Sequence, residues 1–360
     1  MEVTKATGGL VNTSLADITS DIQILCPVNT HFAQWFLPAF YLLVSLLGLL
    51  GNGLGLWNLC ASSRRNSWSS LSVLLCNLGV ADLLYVVTLP FLVSYYLQGR
   101  VWLFGRGWCR LTRLLFHLNL YASIGFLTCV SVHRYLGIVH PLRMLGRCQR
   151  LAPSVCVSAL VWGWVIAQLS PDFSFSKTDH TGTKCHDTTE HKNLGTYLPY
   201  ILVVTVTGFV IPFLIIIGCY CHIVMVLWKN QNVDPNLKRK SIKLVVLVMV
   251  LFSVCFLPYH IFRNLNLLSR KWQLEGSCTQ TLRNIYTAYQ VTRGLASLNS
   301  ALNPLLYLMA SEDLTMRLRA FSQRIGQALR FLWQRQVRQH LDQNKLTIMV
   351  NEECEESNDL

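Results

Sequence analysis

The sequence predicts an all-α integral membrane protein: a bundle of seven transmembrane helices with a short amphipathic helix after the seventh span. Three observations predict it. Hydrophobic residues make up 52% of the 360 residues and charged residues only 14%, against roughly 25% charged in ordinary soluble chains. Seven stretches are long and apolar enough to cross a bilayer, which takes about 20 mainly apolar residues. The basic excess, a net charge of +13, mostly flanks those stretches. That distribution argues against a nucleic-acid polymer as partner. It fits basic loops facing anionic lipid or, on a sharper reading, an anionic ligand.

Residues 1–32 are polar, carry Asp17 and Asp21, and lack the apolar core of a cleavable signal. The first span is therefore expected to direct insertion. Asn12-Thr13-Ser14 is an N-glycosylation pattern ahead of that span, which agrees with an N-terminal segment outside the cell. The membrane-spanning domain is placed at 33–310. Stretch 35–60 carries no charge, and 70–97 carries Asp82 alone. Stretch 111–139 holds Arg113 and Arg134 near its two ends. Stretches 151–171, 194–228 and 244–262 carry none with His260 neutral, and 284–310 carries only Arg293. Pro90, Pro212, Pro258 and Pro304 fall inside spans, where kinks are tolerated.

With the N-terminus outside, Arg64, Arg65, Arg143, Arg147, Arg150 and the cluster Lys238 to Lys243 face the cytoplasm. The outer segments are also basic, with Arg100, Arg106, Lys177, Lys184 and Arg270. The positive-inside bias is modest because the outer face is unusually cationic. In 311–332, Leu314, Leu318, Phe321 and Ile325 recur at helical spacing between arginines, a pattern for a helix lying on the membrane surface. Residues 333–360 form a cytoplasmic tail whose acidic end is expected to be disordered.

The polar residues inside the spans carry the functional argument. A carboxylate within a membrane marks function by default, and Asp82 has Asn52, Ser123, Asn299, Ser300 and Asn303 able to face it. Arg110, Arg113, His117 and Tyr121 recur at three- and four-residue steps and so share a helix face. Arg113 lies 21 residues before Arg134, roughly 30 Å at about 1.5 Å per residue, so the two sit at opposite membrane faces. Phe252, Phe256, Tyr259, Arg263 and Asn266 make a second stripe with His260 beside it. Tyr286, Tyr289, Gln290 and Arg293 make a third. Arg113, Arg263 and Arg293 then converge on the outer half of the bundle. Three cations there repel and lose hydration, and an anion with carboxylate or phosphate forks would relieve them. Each arginine could instead snorkel to water or pair with Asp187. No internal repeat supports a transporter, and no metal-ligand spacing, nucleophile elbow or phosphate loop supports an enzyme.

One motif per span then points to a family. Gly51-Asn52, Leu78 to Asp82, His133-Arg134-Tyr135, Trp162, Pro212 with Tyr220, Cys255-Phe256-Leu257-Pro258, and Asn303-Pro304-Leu305-Leu306-Tyr307 follow in order. Together they resemble the rhodopsin-like G-protein-coupled receptors over about residues 33–325. The resemblance implies that Arg134 binds the G protein, with Tyr135, Tyr220, Phe256, Pro258, Asn303, Pro304 and Tyr307 as parts of the switch. His133 stands where the family usually carries an acid, so the usual acid–arginine lock is absent. The Asp82 cluster would hold water and, in many relatives, a sodium ion; a plain hydrogen-bonded core is the other reading. No other cofactor is implied. Cys109 and Cys185 match the family disulfide. Cys26 and Cys278 are the remaining cysteines of the outer segments, which are oxidising territory, and a second bridge between them is the economical reading.

Longer runs narrow the resemblance. Leu115 to Tyr121, Tyr289 to Ser300 and Cys185-His186-Asp187-Thr188-Thr189 are similar to the metabotropic purinergic receptors for adenine nucleotides. By position, Arg113, His117, Arg263, Arg270 and Arg293 would hold phosphates. Tyr95, Asn266, Tyr286, Tyr289 and Gln290 would frame the nucleoside, with Asp187 above them. Asn303 departs from the Asp that many such relatives carry. The implied function is a plasma-membrane receptor for extracellular ADP or ATP. It would signal through a heterotrimeric G protein to phospholipase C and calcium, with arrestin as a further partner. A receptor for dicarboxylates such as succinate or oxoglutarate is the alternative in the same class. An anion transporter or channel is the alternative from another.

Overall fold

The structure is a computed structural model. It describes residues 31–64, 68–140, 151–178, 182–189, 193–229, 235–277 and 279–310, and the single positions 323, 327 and 333. Asn12, Cys26 and Cys278 lie outside the described residues, as do nearly all of the 311–332 helix and the 333–360 tail. The chain divides into two units, Met1–Leu306 and Tyr307–Leu360; Tyr307 of the switch motif belongs to the second.

The described residues of the first unit are almost entirely helical. The first helix is His31–Ser63. The second span is made of Ser70–Val86 and Leu89–Leu97. Ser69 starts it by accepting a bond from the Ser72 backbone N–H at 3.1 Å, an N-cap that satisfies one of the orphan amides of a helix start. The break between its two parts sits just before Pro90, which lacks an N–H to continue the ladder. Thr88 covers the break by donating its hydroxyl to the Tyr85 carbonyl at 2.7 Å. The third helix, Gly105–Val139, is 35 residues long. It begins six residues before the apolar stretch, because its first turns are polar and lie beyond the apolar layer. The fourth is Leu151–Leu169 with a 3-10 turn, Ser170–Ser174.

The fifth helix is Leu194–Thr205 and Ile211–Lys229 joined by a π turn, Val206–Val210. The sixth is Pro235–Leu251 and Leu257–Leu274 joined by a π turn, Phe252–Phe256. It extends well past both ends of the uncharged stretch 244–262, since the lysine cluster at one end and the Arg263–Arg270 face at the other are helical too. The seventh is Gln280–Leu302 followed by Pro304–Ala310. Among the described residues, six helices are long and apolar enough to cross a membrane. The seventh is not one of them, because its inward residues are so polar.

The burial pattern is that of a protein in lipid, where the apolar surface may face outward. Leu46, Leu50, Trp57, Leu160, Val203, Leu214 and Trp228 are all exposed, while Asn52, Asp82, Ser123, Asn299, Ser300 and Asn303 are fully buried. Glycine sets one close approach. A Cβ on Gly51 would lie 2.6 Å from Cγ of Pro304, so the first and seventh helices meet where a side chain would keep them apart.

Candidate ligand-binding site

The site is built where the loop between the fourth and fifth helices folds back over the bundle. The Cys109–Cys185 disulfide ties that loop to the first turns of the third helix, with Cα atoms 5.8 Å apart. Thr178 and Cys185 pair across the loop as an antiparallel bridge, and Trp102 N–H donates to the Thr183 carbonyl at 2.7 Å. Lys177 anchors the base of the loop with an ion pair to Asp172 at 2.8 Å and a bond to the Tyr197 hydroxyl at 3.4 Å. Burial pulls the Lys177 ammonium down from its usual range, and Asp172 only partly offsets that.

Fixed this way, the loop delivers Asp187 into the bundle. Asp187 Oδ1 pairs with Arg113 Nη1 at 2.8 Å and with Arg293 Nη1. Gln290 Nε2 reaches Oδ2 at 3.5 Å. Burial alone would push the Asp187 carboxyl up, but the guanidiniums of Arg113, Arg293 and Arg100 outweigh it and hold the group well below the usual carboxylate range. Arg113 also donates to the Cys185 carbonyl at 3.1 Å, and Arg293 donates to the Tyr96 hydroxyl. Thus two of the three converging arginines have an internal carboxylate, the pairing that the sequence leaves open as the alternative to an anionic ligand. The third does not. Arg263 is 1% exposed; it donates to the Tyr121 hydroxyl at 2.7 Å and lies over the Tyr259 ring at 5.8 Å. No carboxylate among the described residues pairs with it.

The remaining sequence-derived residues are placed as follows. His117, Tyr121, Asn266, Tyr289 and Gln290 are buried and Tyr286 is half-buried. Tyr95 is buried against the rings of Tyr96 and Trp102. Arg270 is drawn to the loop, donating to Thr188 Oγ1 at 2.7 Å and to the Thr189 carbonyl at 2.9 Å. Arg110 is a correction: it is exposed. It shares the direction of His117 and Tyr121 at 3.6 residues per turn, but it lies in the exposed first turns of the helix, which begins at Gly105, above the level where the site closes. Tyr96 is a site residue that sequence reasoning does not single out; its one signal is its place beside Tyr95.

Deeper in the bundle, Asp82 accepts from Asn119 Nδ2 at 2.7 Å and from Asn303 Nδ2 at 2.9 Å. Asn119 is an unforeseen member, and an amide inside an apolar stretch is its signal. Ser300 donates to Asn119 Oδ1 at 3.1 Å, and Asn299 donates to Ser123 Oγ at 3.0 Å. Asn52 joins the network through the Ser300 carbonyl at 2.8 Å, not through Asp82 itself. Oδ1 of Asn299 and of Asn303 have no hydrogen-bond partner, so this oxygen-rich cluster has acceptors to offer a hard monovalent cation.

At the far end of the third helix, His133 and Arg134 are half-buried, and Arg134 pairs with no acid among the described residues. Ser131 donates instead to the Tyr220 hydroxyl at 2.7 Å, which ties the third helix to the fifth. Tyr135 packs on His140 and His222. Phe256 is buried against Phe252 with ring centroids 5.0 Å apart.

Comparison with known proteins agrees with this layout. Residues 51–307 match the family model described as 7 transmembrane receptor (rhodopsin family). The chain is 45% identical over 294 residues to purinoceptor 1 of Gallus gallus, covering 81% of this chain and 80% of that one. It is 43% identical over 294 residues to purinoceptor 1 of Homo sapiens, covering 81% and 78%. To purinoceptor 4 of Xenopus laevis it is 39% identical over 311 residues, covering 84% and 57%.

Proposed function

Because the chain belongs to the rhodopsin family of seven-transmembrane receptors, we propose that its arginine-lined cavity holds the phosphates of an extracellular nucleotide. The protein is a nucleotide-activated, G-protein-coupled receptor and not an enzyme; its similarity to purinoceptors over four-fifths of the chain favours this over a dicarboxylate receptor. One observation carries the site. Arg113, Arg263 and Arg293 are each at most 3% exposed, yet one carboxylate, Asp187, serves two of them and none among the described residues serves the third. A buried guanidinium without an anion carries a desolvation cost that a phosphate would offset with charge-assisted, forked hydrogen bonds.

The geometry suggests a sequence of events. Phosphate oxygens compete with Asp187 for Arg113 and Arg293 and engage Arg263. The third, sixth and seventh helices are then drawn onto one ligand, through the Tyr121–Arg263 contact that already joins two of them. Tyr95, Asn266, Tyr286, Tyr289 and Gln290 surround the base and ribose, while His117 and Arg270 border the phosphates. Movement of the sixth helix about Pro258 and its π turn exposes Arg134 to the G protein. ADP or ATP is the proposed agonist and phospholipase C the proposed branch, with arrestin as a later partner at the plasma membrane. On this reading the N-terminus, with a glycan on Asn12, is outside and tied by a Cys26–Cys278 bridge. Asp82, Ser123, Asn299 and Asn303 would supply oxygens to a sodium ion, which would damp activation by holding the polar core together.

The test is calcium release in cells expressing the full chain, run against a panel of adenine and uracil nucleotides, succinate and oxoglutarate. Response to a nucleotide and not to its nucleoside is expected. A response to dicarboxylates alone overturns the assignment of ligand.

A further inference from the structure

A further buried cation lies beside the anion pocket, on the side of the fifth helix. Lys177 precedes the Thr178–Cys185 bridge and is only 2% exposed. Its backbone is fixed by the His186 N–H, which donates to the Lys177 carbonyl at 2.6 Å. Its ammonium pairs with Asp172 at 2.8 Å, sits 4.9 Å from the centre of the Tyr197 ring and donates to the Tyr197 hydroxyl at 3.4 Å. The same hydroxyl takes a hydrogen bond from Arg263. Two cations thus converge on one neutral oxygen, which has lone pairs to give but no charge. Asp172 offsets Lys177 alone, and the charge of Arg263 is left over.

His117 joins this corner to the rest of the pocket. Its buried ring has Nδ1 without a partner, and the charges of Arg263, Lys177 and Arg113 all bear on it. Arg113 in turn shares Asp187 with Arg293. The third and sixth helices each pack on both the fifth and the seventh, so Arg113 and Arg263 stand between Arg293 on one side and Lys177 on the other. The cations therefore form a row across the bundle: Arg293, Arg113, Arg263, Lys177. Asp187 and Asp172 are two carboxylates for these four cations, and the unbalanced charges repel along the row in a buried site. Tyr286, Tyr289 and Gln290, which frame the nucleoside on the proposed reading, belong to the seventh helix, at the Arg293 end. A nucleotide seated there extends its phosphates toward Lys177, and each added phosphate meets the next member of the row.

We propose that Lys177 determines specificity for phosphate-chain length: with Arg263, its ammonium takes the terminal phosphate of a nucleoside triphosphate, which a diphosphate is too short to reach. Lysine suits the task, because a compact ammonium with three donors can turn one to phosphate while another keeps Asp172. Asp172 is then the resting counter-ion of Lys177. The proposal rests on the nucleotide reading above.

The experiment uses the purified full-length receptor in phosphatidylcholine nanodiscs. Affinities for ATP, ADP, tripolyphosphate and pyrophosphate are read from the rise of melting temperature with ligand concentration. ATP should bind at least about tenfold more tightly than ADP, the size of one added charge-assisted contact, and tripolyphosphate should likewise exceed pyrophosphate. Lys177→Met should bring the ATP-to-ADP ratio below about threefold. Lys177→Arg, which keeps the charge, should restore most of it. Asp172→Asn cuts the same loop anchor but leaves the cation, and should hold the ratio at the parent value or above. A lysine that only anchors the loop would make Lys177→Met and Asp172→Asn alike, weakening ATP and ADP together at constant ratio. That result, or a parent receptor that binds ADP as tightly as ATP, overturns the proposal. A receptor that binds tripolyphosphate through Lys177 but binds no nucleotide would fault the nucleotide reading and leave the phosphate subsite standing.

Discussion

Arg263→Ala is the cleanest perturbation of the anion pocket, because it leaves the Asp187 ion pairs untouched. Arg263 is buried, with a bond of 2.7 Å to the Tyr121 hydroxyl and a ring contact to Tyr259. None of its charge is taken up by a described carboxylate. If a phosphate takes that charge, truncation removes a buried charged contact, which commonly costs about 2–5 kcal/mol. At about 1.4 kcal/mol per tenfold, potency should fall roughly 30-fold to over 1,000-fold. Arg263→Lys should recover part of the loss, since it keeps charge without the fork. The assay is a full agonist concentration–response curve for calcium release, with surface expression measured in parallel. Parent-like potency in Arg263→Ala at normal surface expression would refute the reasoning, because this buried guanidinium would then not be meeting the anion.

Three further outcomes follow from the geometry. In a double-mutant cycle on Arg293→Ala and Asp187→Ala, agonist potency should show a coupling of at least about 1.5 kcal/mol, as close charge pairs do; strict additivity would mean that the ion pair is idle. Asp187 is depressed as a carboxylate, so its anchoring is fully present above its unfolded pKa and is lost only as pH falls through its much lower folded value. The excess melting temperature of the purified receptor over Asp187→Asn should therefore be the same at about pH 8 and about pH 5, both above the ordinary Asp range, and a gap that closes within that window would contradict the pairing. Gly51→Ala places a methyl 2.6 Å from Pro304 and should cost about 1–3 kcal/mol by overpacking, seen as a lower melting temperature; an unchanged one would mean that the two helices part freely.

Much of this architecture can be read from residue order. Apolar length alone marks six of the spans, and steps of three and four along the third, sixth and seventh helices bring Arg113, Arg263 and Arg293 to one end. What escapes is whatever depends on contacts between distant segments. Asp187 is legible as a loop acid, but that it bridges Arg113 and Arg293 depends on how the disulfide and Lys177 tilt the loop. Asn119 is hard to see because an apolar run hides a single amide, and Arg110 falls outside the site because shared helical phase does not fix depth: it sits in the exposed first turns of the third helix. The polar seventh helix shows the reverse: hydropathy undervalues it, and its burial among other helices explains why.

The two π turns face a shared aromatic stack. Phe209 and Phe213 belong to the fifth helix and Phe252 to the sixth, with nearly parallel rings and centroids 5.7 to 6.3 Å apart. Each π turn inserts one residue into the local winding, which advances everything beyond it by about 100° at 3.6 residues per turn. In both helices, then, the half that meets the ligand and the half that meets the cytoplasm are phased separately, with the phase set at the same level. If either turn relaxed to regular winding, its half-helix would have to rotate, and the interleaved rings would oblige the neighbouring helix to turn with it, as two meshed gears must.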